Sequence, residues 1–168
     1  FADIFLEYAD KISTSKISNF GGIPNDTLKR GYGYYQNVNI YFGNWGLSTE
    51  YKQYSFDRLY GDITANEYGN QIEYQQMPTL AKEHNSTLLG RVSHTYSFND
   101  ERGIQFELNG SIMDLAISMQ YAHLSRNEKW RSNSENDWSH SIIDNYLPSS
   151  DFSALPYWEN YNEISGYT

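Results

Sequence analysis

The alternation of apolar and polar residues between Thr87 and Leu124 constrains the fold of this chain more than any other feature of its sequence. Three successive segments, 88–98, 104–112 and 115–122, carry apolar or aromatic residues at most alternate positions. Side chains of a β-strand point alternately to opposite sides, so the pattern predicts three strands with one apolar and one polar face. Such strands lie between water and an apolar medium, which is either a soluble core or a lipid bilayer.

Composition narrows the class of protein. The chain has 168 residues, enough for one domain, and 17% of them are aromatic, which is too many for a disordered segment. No run of about 18 apolar residues is present, which argues against a transmembrane helix. The net charge of −9 argues against nucleic-acid binding, and the absence of cysteine excludes disulfides and thiolate catalysis.

The remaining strands and their connections point toward a membrane. Residues 2–9 alternate, and residues 32–42 and 47–54 form a predicted hairpin around Gly43–Gly46. Strands of about ten residues suit a tilted membrane strand, which needs about 9–11. The predicted loops alternate between long and short, which is typical of outer-membrane barrels with long outer loops and tight periplasmic turns. The long loops are 13–30 and 55–86, and the short ones are 43–46 and 99–102. A further short turn is predicted near 110–114, on the long-loop side.

We therefore predict an all-β fold, an antiparallel transmembrane β-barrel with strands in residues 1–126. Residues 127–168 form an irregular, loop-rich tail with one or two further strands. Six clear strands are too few for a membrane barrel, which needs about eight, so the chain is expected to be an incomplete stretch of a larger barrel. The predicted lipid-facing residues are Leu88, Val92, Tyr96, Ile104, Phe106 and Leu108. The predicted lumen-lining residues are Glu50, Lys52, Arg91, Gln105, Glu107 and Asn109.

Three short phrases of the chain resemble a known family. These are the opening FLEYADK, the stretch LSTEYKQYSFD at 47–57, and MPTLAKEHNSTL at 77–88, with Pro, Leu, Lys and His at every second position. Together they resemble a family of outer-membrane β-barrels of unknown function from Bacteroidota and related bacteria. The resemblance covers residues 1–121. It implies a membrane barrel and no known reaction.

Chemical motifs point to no reaction. The histidines are widely spread and lack the spacing of a metal site, and no nucleophile elbow or phosphate-binding glycine loop is present. The acidic residues of 55–86 lack the pattern of a calcium loop, so a solvated loop is favoured. Glu7, Glu50 and Glu107 lie on polar strand faces, where the acids of a glycosidase would also lie, but a charged lumen is the ordinary reading. We expect no cofactor, no metal and no catalytic residue.

The leading hypothesis is an outer-membrane barrel of a Gram-negative bacterium that acts as a pore, a scaffold or a barrel subunit of an envelope complex. Its expected partners are the lipid bilayer and further strands or other envelope chains. The alternative is a soluble, secreted all-β module that binds carbohydrate through exposed Tyr and Trp.

Overall fold

The computed structural model describes residues 1–17, 25–56, 100–134 and 137–166. Apart from one turn of 3₁₀ helix, Phe152–Ala154, every regular element in these ranges is a β-strand. All strand pairs are antiparallel, which confirms the predicted all-β antiparallel class. The strands in chain order are β1 (Ala2–Ile17), β2 (Asn25–Phe42), β3 (Trp45–Phe56), β4 (Asp100–Ile112), β5 (Leu115–Ser125), β6 (Glu128–Ser134), β7 (Asp137–Ile142) and β8 (Tyr157–Gly166).

Six of the strands form one sheet in the order β1-β2-β3-β4-β5-β8, and β6 and β7 form a separate hairpin. Strands β1 and β8 lie at the two edges, and within the described ranges neither pairs with a strand on its outer side. Closure into a barrel therefore stays a prediction. The two edge strands run in opposite directions, so antiparallel closure needs an even number of added strands or none.

Two tight hairpin turns lie at the same end of the sheet. Gly43 and Asn44 join β2 to β3, and Met113 and Asp114 join β4 to β5, which confirms the turns predicted near both positions. The first residue of each turn has a positive φ, 59° at Gly43 and 52° at Met113, as in the II′ turns that match the twist of antiparallel strands. We call this the turn end of the sheet.

The chain makes its longer connections at the opposite end, which we call the connection end. Three connections lie at this end. They join β1 to β2, β3 to β4 through residues 57–99, and β5 to β8 through residues 126–156. The predicted loops 13–30 and 55–86 both fall at this end, and their predicted asymmetry of length relative to the turns stays a prediction. The turn at 113–114 belongs with the tight turns, rather than on the long-loop side where the sequence pattern placed it.

The predicted turn at 99–102 is wrong, because residues 100–102 belong to β4. Strand β4 pairs with β3 on one side and with β5 on the other, so neither of its edges is free for the predicted strand 88–98. Asp100 has turn-forming chemistry in sequence, yet its carboxylate accepts hydrogen bonds from the backbone amides of Asn127 and Glu128. Segment 88–98, with Leu88, Arg91, Val92 and Tyr96, lies outside the described residues.

The other predicted loops also differ from the structure. Residues 13–17 and 25–30 extend β1 and β2, and their pairing continues to Ile17 and Asn25, so the connection between them is shorter than the predicted 13–30. Ser55 and Phe56 belong to β3, and the rest of the predicted loop 55–86 lies outside the described residues. The tail contains three strands, β6, β7 and β8, where the sequence predicted one or two.

Candidate functional site

The register of the sheet sorts its side chains into two faces of opposite chemistry. Paired residues point to the same side, so the row Ile4, Val38, Thr49, Phe106, Tyr121 and Asn160 lies on one face. The row Asn37, Glu50, Gln105, Ala122 and Glu159 lies on the other. We call these the apolar face and the polar face.

The predicted residues within the described ranges divide between these faces as the sequence pattern indicated. Ile104, Phe106 and Leu108 lie on the apolar face. The five predicted lumen residues that are described share the polar face: Glu50, Lys52, Gln105, Glu107 and Asn109. Whether these faces meet lipid and lumen stays a prediction.

Burial on the two faces is reversed relative to a soluble protein. On the polar face Lys52 is 1% exposed and Gln120 is 3% exposed, whereas Leu6 and Ile164 on the apolar face are 60% and 70% exposed. Soluble proteins bury aliphatic residues and almost never bury Lys or Glu completely unless they are paired. The further large apolar side chains exposed on this face are Ile4, Tyr8, Ile12, Ile40, Phe42, Phe106, Ile112, Leu115, Met119, Tyr121 and Trp158.

The small apolar cluster of the described residues does not form a conventional core. Ala122 and Leu124 are fully buried, with Tyr157 packed against them, and all three lie on the polar face. No comparable buried cluster lies on the apolar face within the described ranges. The side chains with the largest apolar surface therefore contribute little to burial inside this chain.

Carboxylates on the polar face have a cation or a neutral donor as partner, as three examples show. Lys52 Nζ lies 3.2 Å from Glu101 Oε1, with both side chains almost fully buried, and 5.4 Å from the centre of the Tyr54 ring. Such a pair is stable only where both charges keep partners, because removing either leaves an uncompensated buried charge. Toward the turn end, Asn109 donates to Glu107 at 2.7 Å, and toward the connection end Tyr157 donates to Glu159 at 2.7 Å.

Two glutamines on the polar face keep amide atoms without a protein partner. Gln105 Oε1 and both amide atoms of Gln120 are buried and make no hydrogen bond to protein. Their strands place them diagonally across the β4–β5 pair. Buried amides are normally satisfied by protein or by ordered water, so these amide atoms are suited to bind ordered water.

Aromatic side chains mark the boundary of the apolar face toward the connection end. We call Tyr8, Tyr34, Tyr51, His123 and Trp158 the aromatic rim. The rings of Tyr34 and Tyr51 lie 5.8 Å apart, and those of His123 and Trp158 are stacked at 5.0 Å. Beyond the rim the same face becomes polar, with Gln53, Arg102 and Ser125.

A buried hydrogen-bond junction holds the connection end together. Asn127, 3% exposed, accepts from Arg102 Nε and donates to the Tyr54 carbonyl, both at 2.7 Å. Its backbone carbonyl accepts from the Ile143 amide at 2.9 Å. The junction therefore ties β3, β4 and the β6–β7 hairpin together. Nothing in the local sequence pattern marks Asn127, because its partners are distant in the chain.

Several polar-face residues were not among the predicted lumen residues. Glu101 lies in the wrongly predicted turn 99–102, Glu159 in the tail where alternation is weak, and Gln120 on the polar side of β5. The polar alternation of β5 was a sufficient signal for Gln120. No group of three or more acidic or histidine side chains within the described residues is placed to hold a metal ion. The described residues contain no helix with the length and hydropathy needed to cross a membrane.

Comparison of the chain with protein-family models, with curated proteins and with solved structures finds no match. The resemblance to an outer-membrane family therefore stays a prediction.

Proposed function

We propose that this chain is part of a transmembrane β-barrel of a bacterial outer membrane, with its apolar face toward lipid and its polar face toward the barrel interior. The observation that carries the proposal is the reversed burial, with Lys52 and Gln120 buried while Leu6, Phe106 and Ile164 are exposed. Outer-membrane barrels have this arrangement, because their strands alternate between residues that face lipid and residues that face the lumen.

The extent of the apolar face supports lipid as its neighbour. Exposed aliphatic or aromatic residues occur on it in β1, β2, β4, β5 and β8. Monomeric soluble proteins rarely expose a contiguous apolar patch of more than a few hundred Å². The aromatic rim adds to the argument, since Tyr and Trp are enriched where a membrane protein crosses the boundary between hydrocarbon and water.

The outer edges of β1 and β8, which are unpaired within the described residues, favour pairing with further strands. An unpaired strand edge in hydrocarbon leaves backbone groups unsatisfied, each at a cost of several kcal/mol. Both edge strands carry carboxylates on the polar face, Asp3 and Glu7 on β1 and Glu159 and Glu163 on β8. Like charges on adjacent strands are destabilising, so intervening strands are favoured over direct β1–β8 pairing. These strands come from the same polypeptide or from another envelope protein.

The interior chemistry supports a scaffold or barrel subunit rather than a wide pore. Lys52, Glu101, Gln105, Gln120 and Glu159 are all less than a tenth exposed. In barrels of about eight strands the side chains fill the interior, whereas barrels with twice as many strands leave an aqueous channel. A narrow, polar interior with ordered water also accounts for the unpartnered amides of Gln105 and Gln120.

Membrane partition tests the proposal against the alternative of a secreted carbohydrate-binding module. The protein is produced in a Gram-negative host with export to the envelope, and the membranes are washed with alkaline carbonate and with urea. We expect the protein to stay in the membrane pellet and to be released only by detergent. A protein that is released by the washes and remains in solution at high concentration without detergent contradicts the proposal and favours the soluble module.

A further inference from the structure

The chain between β7 and β8, residues 143–156, folds back over the outside of the sheet at the connection end. We call it the strap. Arg102 Nη2 donates to the Ile143 carbonyl, the Tyr51 hydroxyl donates to the Tyr146 carbonyl, and the Ser149 amide donates to Ser125 Oγ, at 2.9–3.2 Å. Arg102, Tyr51 and Ser125 all belong to the apolar side of the sheet, at and just beyond the aromatic rim.

The strap turns its polar backbone toward the sheet and its large apolar side chains away from it. Phe152 is 86% exposed and Tyr146 is 83% exposed, and Leu147 and Leu155 are more than half exposed. The small residue Ala154 is instead fully buried. The strap therefore continues the exposed apolar surface of the sheet past the aromatic rim, on the same side of the molecule.

The exposed side chains are held in place by a rigid turn. Asp151 caps the 3₁₀ turn by accepting from the Ser153 amide and hydroxyl at 3.0 and 2.8 Å, and Lys129 lies 3.1 Å from its carboxylate. The Ala154 carbonyl accepts from the Arg126 amide at 2.8 Å. Leu155 has a left-handed backbone, φ 48°, which is unfavourable for a residue other than glycine and persists only where the surroundings impose it.

We propose that the strap is an interfacial anchor. Its Tyr146, Leu147, Phe152 and Leu155 side chains enter the boundary between lipid headgroups and acyl chains, beside the aromatic rim. This inference rests on the proposed function and adds a lipid contact outside the strands. Apolar side chains on a surface segment bury into this boundary when a polar side holds the segment in its plane. The ion pair with Lys129 compensates the one carboxylate that lies within the turn.

The test uses single cysteines, because the chain has none of its own. An environment-sensitive NBD fluorophore is attached at Phe152→Cys or Leu147→Cys on the strap, at Phe106→Cys on the apolar face, and at Ser139→Cys on the β6–β7 hairpin, where Ser139 is exposed. Each full-length variant is reconstituted into phosphatidylcholine vesicles that carry bromine either near the headgroup or deep in the acyl chain. Bromine quenches NBD emission only at short range.

We expect NBD at 152 and 147 to be quenched more strongly by shallow than by deep bromine, NBD at 106 to be quenched by deep bromine, and NBD at 139 to be unaffected. If NBD at 106 is quenched and NBD at both strap sites is unaffected like that at 139, the proposal of an anchor is wrong while the proposal of a barrel is supported. If the strap sites are quenched and 106 is not, the strap binds lipid and the proposed barrel is wrong. If all sites behave like 139, both proposals fail.

Discussion

Lys52 and Phe106 lie on adjacent strands and show how the two faces differ at the scale of single residues. The Lys52 side chain is 1% exposed and is compensated by Glu101, whereas Phe106 is 39% exposed and packs against no buried core. A folded chain in water gains most of its stability by the opposite distribution. Beyond the backbone pairing of its strands, the sheet has polar pairs on one face and close side-chain contacts on the other.

One such fit is the contact between Gly110 and the Trp45 ring. The indole covers Gly110 so closely that a Cβ at this position would overlap ring carbons. We expect Gly110→Ala to displace the ring and destabilise the fold by about 1–3 kcal/mol, as over-packing substitutions do. Gly46→Ala is the control, because a Cβ there meets Tyr41 Cδ1 at an ordinary 3.5 Å. Denaturant unfolding in lipid vesicles measures both, and equal losses would contradict the predicted contact.

A second residue-scale prediction concerns Asn127. In Asn127→Ala, Arg102 Nε loses its acceptor and the Tyr54 carbonyl loses a donor in a buried site. Leaving buried polar groups unsatisfied costs about 1–3 kcal/mol, and more where one of them is charged. Asn145→Ala is the matched control, because Asn145 is exposed and makes only a local 3.3 Å bond to the Leu147 amide. Similar stability of the two variants in urea unfolding would show that the junction contributes nothing.

At the scale of elements, alternation predicted the strands whose two faces differ in polarity. It predicted the β2–β3 hairpin, most of β4 and of β5, and the positions of both tight turns. It missed the first residues of β4, because Asp100 and Glu101 resemble turn residues and are held in the strand by Ser55, Tyr54 and the Asn127 amide. It also missed the ends of β1 and β2, where polar residues such as Ser13 and Lys29 pair without an apolar partner.

In the tail, too, alternation alone does not predict the strands. Strands β6 and β7 carry no periodic apolar pattern, so their pairing depends on contacts that a local pattern does not contain, such as those of Asn127. The division of the polar and apolar faces was predictable residue by residue, since period-2 alternation fixes it. The strap and the buried Lys52–Glu101 pair could not be predicted from the sequence pattern, because both depend on which strands become neighbours.

We predict that the order of the strap depends on pH. Hydrogen bonds from the Ser153 amide and hydroxyl, together with Lys129, lower the pKa of Asp151 from 3.8 to about 2. A carboxyl with a lowered pKa in the folded state stabilises that state above its unfolded pKa, and the effect is lost as the pH falls through the folded value. We expect the strap to keep its order at neutral pH and to loosen as the pH falls from about 4 toward 2.

The anisotropy of a pH-insensitive fluorophore at Ser150→Cys, in exposed sequence beside the turn, measures this order. Wild-type protein should give high anisotropy that falls over the acid range, whereas Asp151→Asn keeps an acceptor for Ser153 but cannot titrate, so its anisotropy should depend little on pH. The prediction is wrong if the two proteins show the same pH profile.

At the scale of the whole molecule, one sheet presents an apolar and a polar face, with its tight turns at one end and its longer connections at the other. Outer-membrane barrels place long loops outside the cell and short turns in the periplasm. The β6–β7 hairpin and the strap would then lie on the outer side, and Asn44 and Met113 on the periplasmic side. Within the described residues β1 and β8 have no neighbour on their outer side, so the proposed membrane barrel would need additional strands there.

A charge placed on the apolar face tests this arrangement energetically. If Leu108 lies near the bilayer midplane, Leu108→Arg should destabilise the folded protein by about 2–4 kcal/mol. Asn109→Arg is the matched control on the adjacent residue, which points to the polar face, and it should cost much less. Reversible unfolding from lipid vesicles measures both, and comparable losses would contradict the separation of lipid and interior.

The most direct test of the central claim is the accessibility of β4 to a lipid-soluble probe. Nitroxide labels at single cysteines from Ile104 to Asn109, in a chain without native cysteine, are measured in vesicles by their relaxation with molecular oxygen and with a water-soluble nickel chelate. The account predicts that oxygen accessibility alternates along the strand, with maxima at 104, 106 and 108 and minima at 105 and 107. Equal oxygen accessibility at 105 and 106, or maxima on the polar face, would contradict it.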